Sequence, residues 1–324
     1  MHHFCTLFDI GYAARGLAMI NSLKNHLPNS HVTILCMDEQ VEALFCVLGL
    51  DNVKTMRLAD LEAAEPCLAD CKATRNRSEY CWTLSSVLTH HLMRTDETID
   101  RLTYLDADLL FFSDPQTLFD EMGARDIAIT EHRYAPHLGH LLPFGRFCVQ
   151  WVSFRRSETG LACLANWRAQ CLDWCFAYTD EGRYGDQKYL DSWPDEYGDA
   201  VCIIDNIGAG AAPWNFVQYA FGLNGDTPSV NGRDLVFYHF HQFKKMRFGL
   251  FSHCSFFYSR GRATPKSVYR AYEAALDAAH DTVARITGQR HVGITPIFDV
   301  VKTRVGHFLL PTQVRDFLRK RLTG

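Results

Sequence analysis

The sequence predicts an α/β fold in which a mixed, mainly parallel sheet is flanked by helices and followed by a helical C-terminal extension. Apolar, β-branched segments alternate along most of the chain with segments whose apolar residues recur at helical spacing, which is typical of strands joined by crossover helices. The strand segments are apolar on both faces, as expected for strands buried between two layers of helices. Beyond Arg262 the pattern is helical as far as about Ile286.

The apolar pattern, and the Pro, Gly and Asn residues that interrupt it, delimit each element. The first helix is predicted from the spacing of Leu17, Ile20, Leu23 and Leu27, and it ends at Pro28. The predicted strands span residues 3–8, 31–37, 53–56, 101–105, 126–130, 147–154, 200–204 and 235–240. Further helices are predicted over residues 39–48, 79–93, 158–177, 185–192 and 263–286. Residues 60–78 are less regular, and residues 205–234 are predicted as loops.

The chain of 324 residues is long enough to bury a large core without disulfides. It contains no internal repeat, low-complexity tract or clear linker. We therefore expect one α/β domain over residues 1–262 and a helical extension over residues 263–324.

The composition argues against several classes of protein. The 33 basic and 37 acidic residues give a net charge of -4 and a pI near 6.4, which speaks against a nucleic-acid-binding protein. No run of about 18 apolar residues occurs, so we expect no transmembrane helix, and we expect no secretory signal. Several of the twelve cysteines lie in apolar segments and none forms a Cys-x-x-Cys pair, so we expect reduced thiols and a cytoplasmic protein.

The most informative local pattern is an apolar strand that runs directly into Asp106-Ala107-Asp108. Alternate side chains of an extended chain share a face, so the two carboxylates project together. Ligands of open α/β sheets bind beyond the carboxyl ends of the strands, where this pair lies. Adjacent carboxylates repel each other unless a cation lies between them, and oxygen ligands suit Mg²⁺ or Mn²⁺, which commonly also binds nucleotide phosphates. An Asp-x-Asp in an ordinary turn more often caps the next element, but its position after a buried strand favours a metal site.

Together with Tyr104 and Leu105, this segment resembles the Tyr-Leu-Asp-x-Asp hallmark of the GT-A (Rossmann-like) nucleotide-diphospho-sugar glycosyltransferases, most nearly glycosyltransferase family 8. Other family landmarks follow in the same order along residues 3–250. They are an Asp and a Tyr three residues apart after the first strand, an Asp-Gln pair, and a His-aromatic segment with a Lys six residues on. In this chain they are Asp9 and Tyr12, Asp186 and Gln187, and His239 and Lys245.

The resemblance implies a metal-dependent, retaining enzyme that transfers a sugar from a UDP-sugar donor to a glycan or lipid-linked acceptor in polysaccharide biosynthesis. By the same resemblance, Mn²⁺ or Mg²⁺ would be held by Asp106, Asp108 and His239. The nucleotide would contact Thr6, Asp9, Tyr12, Asp106, Ala107, Asp108 and Lys245. The catalytic residues would be Asp186 and Gln187, close to the sugar and at the start of a predicted helix.

The chain departs from the family pattern at three places. Cys148-Val149-Gln150 stands where the family usually has Asn-x-Gly, and Gln242 stands where a Gly often follows the metal-binding histidine. Trp82-Thr83 stands where the family often has an Arg. The candidates for that positive charge are Lys72, Arg75 and Arg77.

Other interpretations of these residues stay open. His239 and His241 form a His-x-His pair that could bind zinc in a metallohydrolase. An inactive relative that binds a nucleotide or glycan is an alternative of a different class, and a sugar nucleotidyltransferase is another. Trp214 could face a sugar ring or belong to the core, and Glu131-His132-Arg133 could lie near the donor or form a salt-bridged loop.

The C-terminal segment 302–324 carries six basic residues, one acid and interleaved apolar side chains. A basic amphipathic helix of this kind binds anionic membrane surfaces. Peripheral contact with the inner face of the membrane and a solvated helix face are equally compatible with the pattern.

Overall fold

A seven-stranded sheet forms the centre of the computed structural model, which describes residues 2–296. The predicted membrane-contacting segment 302–324 lies outside the described residues. The strands in chain order are β1 (His2–Phe8), β2 (Ser30–Cys36), β3 (Val53–Arg57), β4 (Arg101–Leu105), β5 (Leu109–Phe111), β6 (Ile127–Glu131), β7 (Phe147–Arg155), β8 (Val201–Ile203), β9 (Ala209–Ala211), β10 (Phe221–Asn224), β11 (Thr227–Val230), β12 (Arg233–Asp234), β13 (Phe237–His239), β14 (Lys244–Lys245) and β15 (Phe251–Ser252).

The strand order of the large sheet is β3-β2-β1-β4-β7-β6-β8. β7 is antiparallel to both of its neighbours, and the other strands run in one direction. The predicted mixed, mainly parallel sheet is therefore confirmed. A smaller sheet, β5-β13-β9, brings β13 beside the segment that follows β4, since β13 pairs with β5 in antiparallel orientation.

Helices cover both faces of the large sheet. They are α1 (Ala13–His26), α2 (Glu39–Leu48), α3 (Leu58–Ala64), α4 (Leu68–Thr74), α5 (Arg77–Thr95), α6 (Gln116–Met122), α7 (Glu158–Asp173), α8 (Trp193–Tyr197), α9 (Phe256–Ser259) and α10 (Lys266–Thr287). Successive side chains of a strand point to opposite faces. Accordingly, Phe4 of β1 belongs to one buried cluster and Cys5 to the other.

Most predicted elements agree with the structure to within a few residues, and the differences concern short elements. The irregular stretch 60–78 contains α3 and α4, and the predicted loop 205–234 contains the small antiparallel sheet β10-β11-β12. The helix predicted over 185–192 is a 3-10 helix, Gln187–Ser192, which is followed by α8. Such short elements have too few residues for a periodic pattern to identify them.

The C-terminal helix α10 confirms the predicted helical region and packs on the core of the α/β fold. The ring of Tyr272 stacks on Phe240 with centroids 3.7 Å apart, and the hydroxyl groups of Tyr269 and Tyr238 lie 3.1 Å apart. All four side chains are buried in one cluster with α1. The helix therefore contacts the segment that carries His239.

A β-bulge interrupts β7 where it passes the end of β4. Ile129 of β6 pairs with Val152, whereas Thr130 pairs with Cys148, so residues 149–151 of β7 are extra. Bulges re-aim side chains and are common beside active sites. This one directs the residues around Gln150 toward the end of β4, because the Gln150 carbonyl accepts a hydrogen bond from the Asp106 backbone NH (3.2 Å).

One stretch of the chain is rich in basic residues and carries exposed apolar side chains. Residues 235–272 contain seven basic residues and no Asp or Glu, although the whole chain is acidic; the seven are Lys244, Lys245, Arg247, Arg260, Arg262, Lys266 and Arg270. Within this stretch Phe248 is 90% exposed and has a left-handed backbone (φ 63°), and Leu250 is 50% exposed. Among residues 2–296, no helix has the length and apolar character that a membrane span requires.

Candidate active site

A cavity of about 640 Å³ opens at the carboxyl ends of β1 and β4, where open α/β sheets bind ligands. Eight sequence-predicted site residues line this cavity: Asp9, Tyr12, Asp106, Ala107, Asp108, Asp186, Gln187 and His239. The other two, Thr6 and Lys245, are not among the lining residues. Positions that are far apart in the sequence thus face one space.

Two backbone arrangements bring His239 to the Asp-x-Asp segment. β13 pairs with β5 so that His239 lies opposite Leu109, and the Phe240 backbone NH donates to the Asp108 carbonyl (2.9 Å). As a result, Nε2 of His239 lies 3.1 Å from Oδ1 of Asp108 and 3.9 Å from Oδ2 of Asp106. Both carboxylates therefore lie near the same imidazole nitrogen, although Asp108 does not belong to the group of described residues whose ligand atoms are all within 4.8 Å of one another.

The charges of these three groups depend on one another. Burial by itself would lower the pKa of His239, but the Asp108 carboxylate outweighs it and raises this pKa well above its ordinary value. Burial raises the pKa of Asp106, and the neighbouring Asp108 charge raises it further. For Asp108, burial would also raise the pKa, but the positive charge and hydrogen bond of His239 lower it. In the absence of a metal ion, the imidazolium of His239 is thus the positive charge that stabilises the Asp108 carboxylate.

Gln150, in the bulge of β7, fixes the ring orientation of His239. Its side-chain Nε2 donates to Oγ1 of Thr130 (3.2 Å), which leaves Oε1 to accept a hydrogen bond from Nδ1 of His239 (2.9 Å). Because Nδ1 is engaged in this way, Nε2 is the nitrogen that faces the carboxylates. Metal-ligating histidines are usually oriented by such a partner on the other ring nitrogen.

Three residues that could coordinate a metal ion form one group among the described residues: Asp106, Cys148 and His239, whose ligand atoms all lie within 4.8 Å of one another. Cys148 is 4% exposed and lines the cavity. His241 also lines the cavity but is not part of this group. Burial lowers the pKa of His241 to about 4, and the charge of His239 adds to that effect.

At the β1 side of the cavity, the predicted nucleotide residues form a turn. The carboxylate of Asp9 accepts a hydrogen bond from the Tyr12 backbone NH (3.0 Å), and its other oxygen pairs with Arg77 at the start of α5. The Tyr12 ring is 47% exposed, and the Arg15 guanidinium lies 4.5 Å from its centroid. An aromatic face and two cations therefore flank this end of the cavity.

The remaining predicted residues lie elsewhere. Thr6 is fully buried within β1, and Lys245 forms an ion pair with Asp277 of α10 (2.8 Å). Of the three cations considered for the missing family Arg, Arg77 lines the cavity. Arg75 is buried and donates to the carbonyls of Cys171 and Leu172, and Lys72 pairs with Glu62.

Asp186 is a buried acid on the cavity wall. Its Oδ2 accepts a hydrogen bond from the Ser85 hydroxyl (2.8 Å), and its side chain does not cap the 3-10 helix that follows. Burial raises the pKa of Asp186 to about 7, and the charge of Asp106 contributes in the same direction. Gln187 donates to the Phe144 carbonyl (2.7 Å).

Aromatic side chains form part of the cavity wall. Trp214 is buried and packs edge-on against His239 with centroids 5.0 Å apart. Its indole NH has no hydrogen-bond partner among the described residues. His132 stacks on Tyr134 (4.6 Å), and burial lowers the pKa of His132 to about 3. Trp214, His132 and Tyr134 thus give the cavity an aromatic lining next to His239.

Sequence reasoning missed some of the residues that hold this site together. Ser85 lies one helical turn from Trp82 on α5, and no motif marks it as a partner of Asp186. Arg15 lies on an apolar helix face, where a buried cation is not expected. Gln150 and Cys148 depart from the family pattern, but the alternation of apolar and polar residues does not predict the bulge at which they lie.

The fold is that of the GT-A glycosyltransferases. An active-site mutant of LgtC superimposes with a TM-score of 0.50 at 15% identity, over 86% of this chain and 95% of that protein. Mouse xyloside xylosyltransferase 1, in its apo form, gives a TM-score of 0.48 at 15% identity over 74% of this chain and 98% of that protein. No protein-family model matches the sequence.

Within this fold the chain belongs to the same family as two proteins of Bacillus subtilis. It is 30% identical to the uncharacterized protein YfnD over 273 residues, which are 83% of this chain and 87% of YfnD. It is 32% identical to the uncharacterized protein YfnF over 247 residues, which are 73% of this chain and 80% of YfnF.

Proposed function

We propose that this protein is a metal-dependent, retaining glycosyltransferase that transfers a sugar from a UDP-sugar to a glycan or lipid-linked acceptor in polysaccharide biosynthesis. The observation that carries the proposal is the convergence of Asp106, Asp108 and His239 in one cavity of a GT-A fold. The buried acid Asp186 lines the same cavity.

The residues present fit a divalent cation. Two carboxylates and an imidazole supply the charge and donor atoms, and Gln150 holds the imidazole with Nε2 toward the carboxylates. Mn²⁺ or Mg²⁺ would be held by Asp106, Asp108 and His239. A cation bound there would supply Lewis-acid stabilisation of the diphosphate as it leaves.

The donor nucleotide is proposed to bind at the β1 side. The Tyr12 ring would stack on the uracil, Asp9 would accept from the nucleoside, and Ala107 offers backbone groups between the two aspartates. Arg77 would add a cation near the phosphates. Lys245 could contribute only by exchanging its ion pair with Asp277 for contacts with phosphate oxygens. Thr6 is buried in β1 and would support the nucleotide site by packing.

The sugar is proposed to lie between the diphosphate and Asp186. A charge near the anomeric carbon stabilises an oxocarbenium-like transition state more than the ground state. Asp186 is held by Ser85, and its side chain does not cap the 3-10 helix that follows. Gln187, oriented by Phe144, would position the sugar.

We further propose that the protein works at the inner face of the membrane from the cytoplasm. The stretch 235–272 is free of acidic residues, and Phe248 is almost fully exposed in a left-handed conformation that a bulky side chain disfavours. Exposed aromatic and basic groups together suit an anionic membrane surface. His241 and Tyr258 of this stretch line the cavity, which would bring a lipid-linked acceptor close to the donor.

The proposal is tested with purified protein and a panel of UDP, GDP, CDP and ADP sugars, by following nucleotide release and metal-dependent nucleotide binding. We expect UDP-sugars to be preferred and binding to tighten with Mn²⁺. The double variant Asp106→Asn/Asp108→Asn should keep its fold and lose the metal dependence. A wild-type protein that binds UDP but releases none from any donor would instead indicate an inactive binder.

Asp186→Asn separates transfer from binding in the same assays. We expect it to bind UDP as the wild type does and to lose transfer and slow donor hydrolysis, since only the step at the anomeric carbon requires its charge. The matched control is Asp191→Asn, which changes an acid of the same segment that pairs with Lys188. Equal turnover in wild type and Asp186→Asn would exclude Asp186 from the reaction.

A further inference from the structure

Cys148 occupies an unusual position for a buried cysteine. Buried free thiols normally behave as small apolar side chains, and Cys163 and Cys171 do so in this protein, within an apolar cluster. Cys148 also packs in a small apolar cluster, with Leu138, Ala212 and Trp214, but in addition it lies on the cavity wall beside two predicted metal ligands. Its sulfur belongs to the group in which the ligand atoms of Asp106, Cys148 and His239 are all within 4.8 Å of one another.

The backbone maintains this arrangement. Cys148 is the residue of β7 directly before the bulge, and it pairs with Thr130 of β6. Thr130 in turn accepts from Gln150, which orients His239. The same bulge therefore positions the thiol and the partner of the imidazole, and both are directed to the end of β4.

The donor set has a chemical consequence. Carboxylate oxygens alone suit Mg²⁺ and Mn²⁺, whereas thiolate sulfur favours softer ions such as Zn²⁺. Zinc is bound at about 2.3 Å by sulfur and about 2.0–2.2 Å by nitrogen and oxygen, so its donor atoms lie roughly 3.3–3.7 Å apart. The distance of 3.9 Å between His239 Nε2 and Asp106 Oδ2 is close to that spacing. Since all ligand atoms of the group lie within 4.8 Å of one another, small side-chain rotations would bring them to the spacing of zinc ligands.

We infer that Cys148 is a ligand of the metal site, and that Asp106, Cys148 and His239 together favour a thiophilic divalent cation over Mg²⁺. The inference rests on the proposed function in that it concerns the same cation site. Binding exchanges the thiol proton for a metal–sulfur bond, the proton passes to solvent, and no oxidation takes place. Asp108, 3.1 Å from the imidazole, remains available as a further ligand or as a hydrogen-bond acceptor.

Cobalt titration tests the inference directly, because thiolate-bound Co²⁺ has a near-ultraviolet charge-transfer absorption that oxygen and nitrogen ligands do not give. We expect the wild type to show this band and Cys148→Ser to lose it. The Zn²⁺ affinity of the variant should fall roughly tenfold or more, because the loss of a ligand should cost at least as much as the loss of a residue that only orients a ligand. Mg²⁺ affinity should change little. Cys81→Ser, which alters another thiol on the cavity wall, is the matched control and should keep the band.

A second measurement needs no variant. Zn²⁺ should protect Cys148 from alkylation, detected by peptide mass spectrometry, and Mg²⁺ should not. Co²⁺ that binds in an Asp106-dependent manner without the charge-transfer band, or equal protection by both ions, would overturn the thiolate ligand while leaving the proposed function intact. Absence of any Asp106-dependent metal binding would count against both. Thermal melting of Cys148→Ser confirms that the variant is folded before its spectra are compared.

Discussion

The carboxyl of Asp186 titrates far from its ordinary range because it is buried. Burial raises its pKa to about 7, with the charge of Asp106 as an additional cause, whereas the unfolded chain gives it an ordinary value near 3.8. Between these values the folded state holds a proton that the unfolded state has released. The contribution of Asp186 to the free energy of unfolding is therefore complete below about pH 4 and is lost as the pH rises through 7.

We predict that Asp186→Asn flattens this pH dependence. In metal-free protein, the free energy of unfolding of the wild type should decrease as the pH rises from 4 to 7. This decrease should exceed that of the variant by on the order of 1–4 kcal/mol. Urea unfolding at a series of pH values in the presence of a chelator measures the difference. Parallel curves for both proteins would show that Asp186 is ionised in the folded state at low pH.

Tyr12 provides a second test at a single residue. Its ring is half exposed in the cavity and lies against Arg15, so little packing is lost when it is removed. Tyr12→Ala should weaken UDP binding by about 1–3 kcal/mol, the range for stacking of a base on an aromatic ring, whereas Tyr12→Phe should bind nearly normally. Isothermal calorimetry with UDP measures both, and unchanged affinity of the Ala variant would remove Tyr12 from the nucleotide site.

Among the elements, α10 has the clearest energetic role. It packs Tyr272 flat on Phe240, the residue directly after His239. Truncation after Arg262 should therefore expose the core and give insoluble protein, whereas truncation after Pro296 should leave a folded chain. Tyr272→Ala should cost about 3–5 kcal/mol of stability, as for other large aromatic truncations, and the exposed Arg270→Ala should cost little. A soluble, cooperatively melting 1–262 fragment would show that residues 263–324 are a separate unit.

Prediction from sequence succeeded where an element is long or a motif is local. Hydrophobic periodicity identified α1, α2, α5 and α10, because each helix buries a regular face, and apolar, β-branched segments located the main strands along the chain. Asp106 and Asp108 were found because a buried strand ends at them. The bulge in β7 and the contact of Ser85 with Asp186 depend on tertiary neighbours, so no local sequence pattern predicts them.

Lys245 illustrates the limit of reasoning from spacing. A Lys six residues after His239 matches the family pattern, yet its partner here is Asp277, an acid on α10 that no motif connects with it. A long, flexible lysine side chain pairs with whichever carboxylate the fold places near it, and spacing in the sequence does not identify that carboxylate. The role of Lys245 toward a diphosphate therefore stays a prediction.

For the whole molecule, charge is distributed unevenly, and this leads to a prediction about membranes. The protein should bind vesicles of anionic lipid and not neutral vesicles, with affinity that falls as salt rises. Truncation after Val301 should weaken co-sedimentation, and Phe248→Ser in the truncated protein should weaken it further, with transfer to a soluble acceptor unchanged. Equal sedimentation of all three proteins would assign the basic residues to a solvated surface.

The contact between Trp214 and His239 has an optical consequence. An indole whose centroid is 5.0 Å from that of the imidazole distinguishes paramagnetic from diamagnetic ions bound there, because a paramagnetic ion quenches a nearby excited state and Mg²⁺ or Zn²⁺ does not. Trp214 and Trp82 are the two tryptophans that line the cavity, and the other four, Trp151, Trp167, Trp174 and Trp193, lie outside its lining. Quenching that is lost in Trp214→Phe and kept in Trp82→Phe would therefore place a paramagnetic ion beside His239.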